Sequence, residues 1–115
     1  MDQFIPQVSE MDVNRIVKRD YPLDQYEMIL EMIEKAGQKE SARNVLACLK
    51  NANGDIEKLK SQLSEASGYW RDIISEAEYP NYSKKLFRID RLSETEQRAI
   101  IESDKSQYLA WLDRD

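Results

Sequence analysis

The chain contains no histidine. That removes the side chain most often used as a general base and as a metal ligand near neutral pH. A single cysteine, Cys48, stands alone, so no intrachain disulfide can form, and a reducing compartment, the cytoplasm, is expected. Glycine and proline number three each. This scarcity, with abundant Leu, Ile, Ala, Glu and Lys, favours helix over sheet. There is no glycine-rich phosphate loop and no cysteine cluster, and no cofactor is expected. No run approaches the about 20 apolar residues of a membrane span. The opening MDQFIPQVSEMD has neither the basic start nor the apolar stretch of a signal peptide, so neither a leader nor a membrane association is expected.

What is present suits one globular domain. At 115 residues, 34% charged and 41% apolar, the chain can bury a core without metal or disulfides. The net charge of −5 makes the surface as a whole repel nucleic acid and anionic membranes.

The spacing of apolar residues predicts an all-α fold, a compact array of five or six helices in a single domain over 1–115, with residues 1–8 an irregular arm. Ser9 and Asp12 have capping-box spacing ahead of Met11, Val13, Ile16 and Val17, and Tyr21-Pro22 should end that helix. Pro22 suits the first turn of a second helix, in which Leu23, Tyr26, Leu30 and Ile33 step by three or four. Gly37 should stop it. A third helix is expected at about 39–52, carrying Ala42, Val45, Leu46 and Leu49, with Gly54 as its stop.

Asp55 caps the strongest pattern in the chain. Ile56, Leu59, Leu63, Ala66, Trp70, Ile73 and Ala77 alternate steps of three and four, which predicts a central helix over about 56–79 ended by Pro80. In that frame Trp70 belongs to the core, and its truncation to Ala is expected to destabilise the fold by about 3–5 kcal/mol. Gly68 lies inside this helix at about 1 kcal/mol relative to Ala. Ser61, Ser64, Gly68 and Ser75 lie largely opposite the apolar stripe, where small residues permit close approach of another backbone, from the same chain or a partner. Residues 81–92 read as irregular. Ser93 and Glu96 form a second capping box before a last helical region containing Ile100, Ile101, Tyr108, Leu109, Trp111 and Leu112, with a break near Ser103-Asp104.

Two groups of residues invite chemistry. Arg71 has Ser67, Gly68, Ile74 and Ser75 as its helical neighbours, and Asp72 has Gly68, Tyr69, Ser75 and Glu76. Neither finds an opposite charge there. This predicts a clamp, structural or facing a partner, in which Arg71 and Asp72 meet Asp104 and Tyr108 of the C-terminal region, with Arg71 pairing Asp104. The second group is SKKLFRIDR, residues 83–91. Its four basic residues against one acid give a local +3, against −8 for the rest of the chain. Lys84, Lys85 and Arg88 can contact phosphates, with Phe87 stacking on a base. The same segment can bind an acidic protein or lie against acidic helices of its own fold. Asp72, Glu76 and Glu78 form a small acidic group, and carboxylates of this kind can serve acid–base work or hold a hard cation. Cys48, without a histidine to activate it, reads as a packed thiol.

The stretch EKAGQKESARNVLACLKNANGDIEKLKSQL, within residues 33–63, resembles the ubiquitin-associated three-helix domain in its helix spacing and its Asn53-Gly54-Asp55 junction. In that family a Met-Gly-Phe/Tyr loop makes much of the partner contact; the matching positions here read Ala36, Gly37 and Gln38. WRDIISEAEYP, taken with LSETEQRAIIESDKSQYLAWL, resembles a group of small bacterial helical proteins. Their pattern pairs an Arg-Asp…Ala-Glu-Tyr-Pro helix end with a terminal Asp-x-x-Gln-Tyr-x-x-Trp-Leu. That resemblance implies an intact domain and a bacterial cytoplasm, and it implies no reaction.

The leading expectation is therefore a non-enzymatic protein-interaction or regulatory accessory protein, monomeric or homodimeric, with an unidentified protein partner. Two alternatives stand beside it. One is a nucleic-acid-binding protein using segment 83–91, against which the acidic surface argues. The other is a carboxylate-based or metal-dependent enzyme centred on Asp72, Glu76 and Asp104.

Overall fold

A computed structural model describes residues 5–37, 41–85 and 90–114. Among them are six α-helices and no strand: α1 (Glu10–Asp20), α2 (Tyr26–Lys35), α3 (Ala42–Ala52), α4 (Ile56–Glu78), α5 (Pro80–Lys84) and α6 (Glu94–Asp113). The fold is all-α, as the periodicity predicts.

The helix boundaries follow local chemistry. The capping box of α1 is formed, with the Ser9 N–H donating to Asp12 Oδ2 at 3.0 Å. Pro22 stands before a 3₁₀ turn, Leu23–Gln25, that leads into α2. Gly37 follows the end of α2 with φ +76°, a conformation open to glycine. Ser41 Oγ accepts from Asn44 N–H at the start of α3, which begins at Ala42, later than the sequence pattern suggests. Asn53, left-handed at φ 49°, caps the end of α3, one residue before the expected Gly54. Gly54 itself has φ +86°, and a Cβ there would sit 3.3 Å from the Asp20 carbonyl oxygen. Asp55 Oδ1 accepts from Lys58 N–H, and Ser93 Oγ from Glu96 N–H, opening α4 and α6.

α4 is the longest helix, but α3 is the most enclosed. Val45, Leu46, Ala47, Cys48, Leu49, Asn51 and Ala52 are all buried. α3 packs most extensively on α4, through Leu59, Leu63 and Ala66, and on its other side against α1. Ile29 and Ile33 of α2 join the same core, as do Tyr108, Trp111 and Leu112 of α6. Each fully buried Leu, Ile or Val contributes about 1.5–3 kcal/mol of transfer free energy. In α6 the buried positions begin only at Asp104, in keeping with an elongated outline of 48 × 30 × 22 Å.

Three expectations are corrected. Trp70 is not core: it is 42% exposed. The heptad runs through Tyr69, whose φ −125° and ψ 37° are not helical, and the bend there breaks the phase. Beyond it Ile73, Ile74, Ala77 and Glu78 are buried, so Trp70 carries no core-sized contribution to stability. α6 has no break at Ser103-Asp104, because Asp104 is a buried acceptor within a continuous helix. Residues 80–84 form α5, with Pro80 in its first turn, where a missing N–H is harmless. The arm is irregular from residue 5 to 9, yet Pro6 is buried and Val8 packs on the core; residues 1–4 lie outside the described residues. Among the described residues no helix is long and apolar enough to cross a membrane.

Candidate functional site

The residues expected to form one clamp are distributed over two places. Asp104 and Tyr108 belong to the junction of α4, α5 and α6. The short α5 leaves its first N–H groups without helical partners. Asp104, with 0% exposure, satisfies two of them: Asn81 N–H donates to Oδ1 at 3.1 Å and Tyr82 N–H to Oδ2 at 2.9 Å. One turn along α6, Gln107 Nε2 donates to the Ala77 and Asp104 carbonyls at 3.0 and 2.9 Å. α6 thus holds both the end of α4 and the start of α5.

Beside this junction Glu78, also at 0% exposure, accepts a bidentate pair from α3. Arg43 Nε donates to Oε2 at 2.9 Å and Arg43 Nη2 to Oε1 at 2.8 Å. These hydrogen bonds raise the Arg43 guanidinium above its ordinary value, against the opposing effect of burial. Tyr108 is buried nearby, its ring 5.7 Å from Trp111 and tilted by 57°. Burial, then the Glu78 charge, pushes the Tyr108 hydroxyl well above the usual tyrosine range. Lys50 is held below its ordinary value by burial, with Glu76 and Asp104 opposing that shift.

The expected Arg71–Asp104 ion pair is absent. Both Asp104 oxygens are taken by α5 backbone donors, which suit a buried carboxylate better than a surface cation one bend away. Arg71 is exposed, with its guanidinium carbon 5.3 Å from the centroid of the Trp70 ring. Asp72 is exposed as well. Of the two quoted motifs, Ala77, Glu78, Asp104, Gln107 and Tyr108 do meet, while Arg71 and Asp72 stand apart.

A second closure joins the end of α1 to the end of α6, and nothing in the local spacing announces it. Arg19 Nη1 donates to the carbonyls of Trp111 at 2.6 Å and Arg114 at 2.9 Å, and the guanidinium lies over the Trp111 ring at 5.3 Å. Asp20 pairs with Arg19 at 2.8 Å and with Arg114 at 3.3 Å. Cys48 is fully buried, and burial pushes its thiol up to about 12, far from the thiolate that nucleophilic chemistry requires. Glu78 is consumed by Arg43, and among the described residues no three His, Cys, Asp or Glu side chains are grouped to hold a metal ion.

The bend itself is the accessible feature. Gly68, Tyr69, Trp70, Arg71 and Asp72 line a shallow surface hollow. Tyr69 is 68% exposed. The sequence signal for this surface is a glycine inside a helix followed directly by two aromatics, of which the heptad spacing assigns Trp70 alone to the core. In the basic segment Lys84 and Lys85 are exposed at the end of α5. Phe87 and Arg88 lie outside the described residues. No protein-family model, no curated protein and no solved structure matches this chain.

Proposed function

We propose that this chain is a non-enzymatic protein-interaction module, of the regulatory accessory kind, acting in a bacterial cytoplasm, and that the bend of α4 is its contact surface. The observation that carries this reading is the adjacent exposure of Tyr69 and Trp70 at the bend, with Arg71 stacked on Trp70. Tyr, Trp and Arg are the residues that dominate interface energetics when they become buried. The stacked guanidinium holds the Trp70 ring in place before a partner arrives, which lowers the ordering penalty on binding. Of the carboxylates an enzyme would draw on, Asp104 holds the start of α5 and Glu78 holds Arg43, while Asp72 and Glu76 stand exposed.

The test is affinity capture from the native host with the full chain as bait, alongside Tyr69→Ala and Trp70→Ala. Both variants should melt near the parent temperature and lose specifically retained proteins. Retention of the same proteins by all three baits refutes the assignment. Salt-sensitive binding of DNA or RNA that disappears in Lys84→Ala/Lys85→Ala would favour the nucleic-acid alternative instead.

A further inference from the structure

Resting on the bend of α4 as the contact surface, we infer that it receives a second copy of this chain, docked about a two-fold axis with the Gly68–Asp72 segments face to face. The charges at the bend are self-complementary. Arg71 and Asp72 are adjacent, exposed and opposite in sign, and among the described residues neither forms an ion pair. In a two-fold interface residue i meets residue j of the partner, and j meets i in turn. Arg71 of each copy then faces Asp72 of the other, and one arrangement satisfies four charges. At a net charge of −5 two copies repel at long range, so a docking patch must supply its own attraction; this one carries both signs.

Gly68 points the same way. Its φ is not positive, so no turn requires glycine. Nothing lies within 4 Å of the position a Cβ would occupy, so no neighbour in the same chain excludes one. A glycine inside a helix destabilises the free chain relative to alanine, and beyond easing the bend at Tyr69 the isolated fold offers no return for it. A second backbone crossing at Gly68 does, because the missing Cβ lets the two helices approach closely. Tyr69 and Trp70 flank that crossing and supply the apolar area. Five residues per copy make a patch smaller than the interfaces of permanent dimers, so the dimer should dissociate on dilution.

Sedimentation equilibrium of the full chain over a range of concentrations tests this directly. The parent should show a reversible monomer–dimer equilibrium. Trp70→Ala, Arg71→Asp and Asp72→Arg should each raise the dissociation constant about tenfold or more. The Arg71→Asp chain presents two acids and the Asp72→Arg chain two bases, so an equimolar mixture should dimerise more tightly than either variant alone. Gly68→Ala should raise the melting temperature of the monomer and weaken the dimer, two effects of opposite direction that a purely structural role cannot give together. A parent that stays monomeric at all concentrations, or a dimer indifferent to both charge variants and their mixture, overturns the inference. If the parent is monomeric but Trp70-dependent capture of another protein persists, self-association fails and the contact surface stands. If capture also shows no dependence on Trp70, both fail.

Discussion

Replacing Arg43 by alanine should be one of the most damaging single changes available in this molecule. The guanidinium makes two short hydrogen bonds to Glu78, and the Glu78 side chain has 0% exposure against 30% for Arg43. Unit charges about 4 Å apart attract by about 4 kcal/mol at an effective dielectric of 20. Truncation of Arg43 removes that attraction and strands a carboxylate that water cannot reach, for a loss of about 3–5 kcal/mol. A chain of this length has a total stability of roughly 6–17 kcal/mol, so a large share disappears. The reverse change is milder. Glu78→Ala leaves a guanidinium that already touches solvent, and the loss should be nearer 2 kcal/mol, the value of its charged hydrogen bonds. Arg43→Met combined with Glu78→Leu removes both charges at similar volume and should fall within about 1 kcal/mol of the parent. Urea denaturation followed by far-ultraviolet circular dichroism gives all three values. Equal losses for the two alanine variants, or a double variant that sums the single losses, would refute the asymmetry argued from burial.

Stability should fall in alkali. Burial raises the Cys48 thiol from 9.0 to about 12 and the Tyr21 hydroxyl from 10.0 to about 12, so the folded chain keeps protons that the unfolded chain releases. The stabilisation is complete below pH 9 and is lost as pH rises towards 12, at about 1.4 kcal/mol per pH unit for each group ionised only in the unfolded chain. Thermal melts across this range should show the decline, with a shallower slope between pH 9 and 10 in Cys48→Ala; constant stability to pH 11 contradicts it. Gly54→Ala should destabilise by about 1–2 kcal/mol, because φ is +86° and the new Cβ meets the Asp20 carbonyl, a loss that chemical denaturation measures. Asp104→Asn should lose about 2 kcal/mol, since the amide nitrogen put in place of one carboxylate oxygen is a donor and leaves either the Asn81 or the Tyr82 N–H without its acceptor. Hydrogen exchange at those two amides should accelerate while the core of α3 keeps its protection.

Much of the fold is legible in the residue pattern because it rests on local rules. Ser9, Asp55 and Ser93 each sit three residues before the group that completes their cap, and each opens a helix. Leu59, Leu63 and Ala66 are buried as their spacing requires. The candidate site is less legible, because its contacts cross long stretches of chain. Arg43 and Glu78 are 35 residues apart, and Arg19 and Trp111 are 92 apart. No periodicity encodes such pairings. Asp104 is instructive: an acid within an apolar stripe reads as a break in a helix, yet it is the partner that a five-residue helix elsewhere in the chain needs. Tyr108, grouped with Asp104 in the expected clamp, is buried, while Arg71 and Asp72 are exposed.

The misplacement of Trp70 and the burial of Glu78 have one cause. A straight helix carrying the stripe of Leu59, Leu63 and Ala66 forward would put Trp70 into the core and leave Glu78 on its flank. The departure at Tyr69 moves the buried face onto Ile73, Ile74, Ala77 and Glu78, and turns Trp70 out. Asn51 of α3 spans the bend from inside: its Nδ2 donates to Gln62 Oε1 at 3.0 Å on one side and to the Ile73 carbonyl at 3.1 Å on the other. Asn51 is itself buried, and a buried amide is stable only when its hydrogen bonds are made. Its two acceptors therefore tie the position of the second half of α4 to that of the first. The same geometry brings the Glu78 carboxylate onto Arg43, a residue of the helix that carries Asn51. The core would lose the Arg43–Glu78 pair if α4 were straightened to bury Trp70, and the surface would lose its aromatic pair. A single backbone departure thus sets both the interior ion pair and the exposed face, and the interior interactions are what keep that face presented.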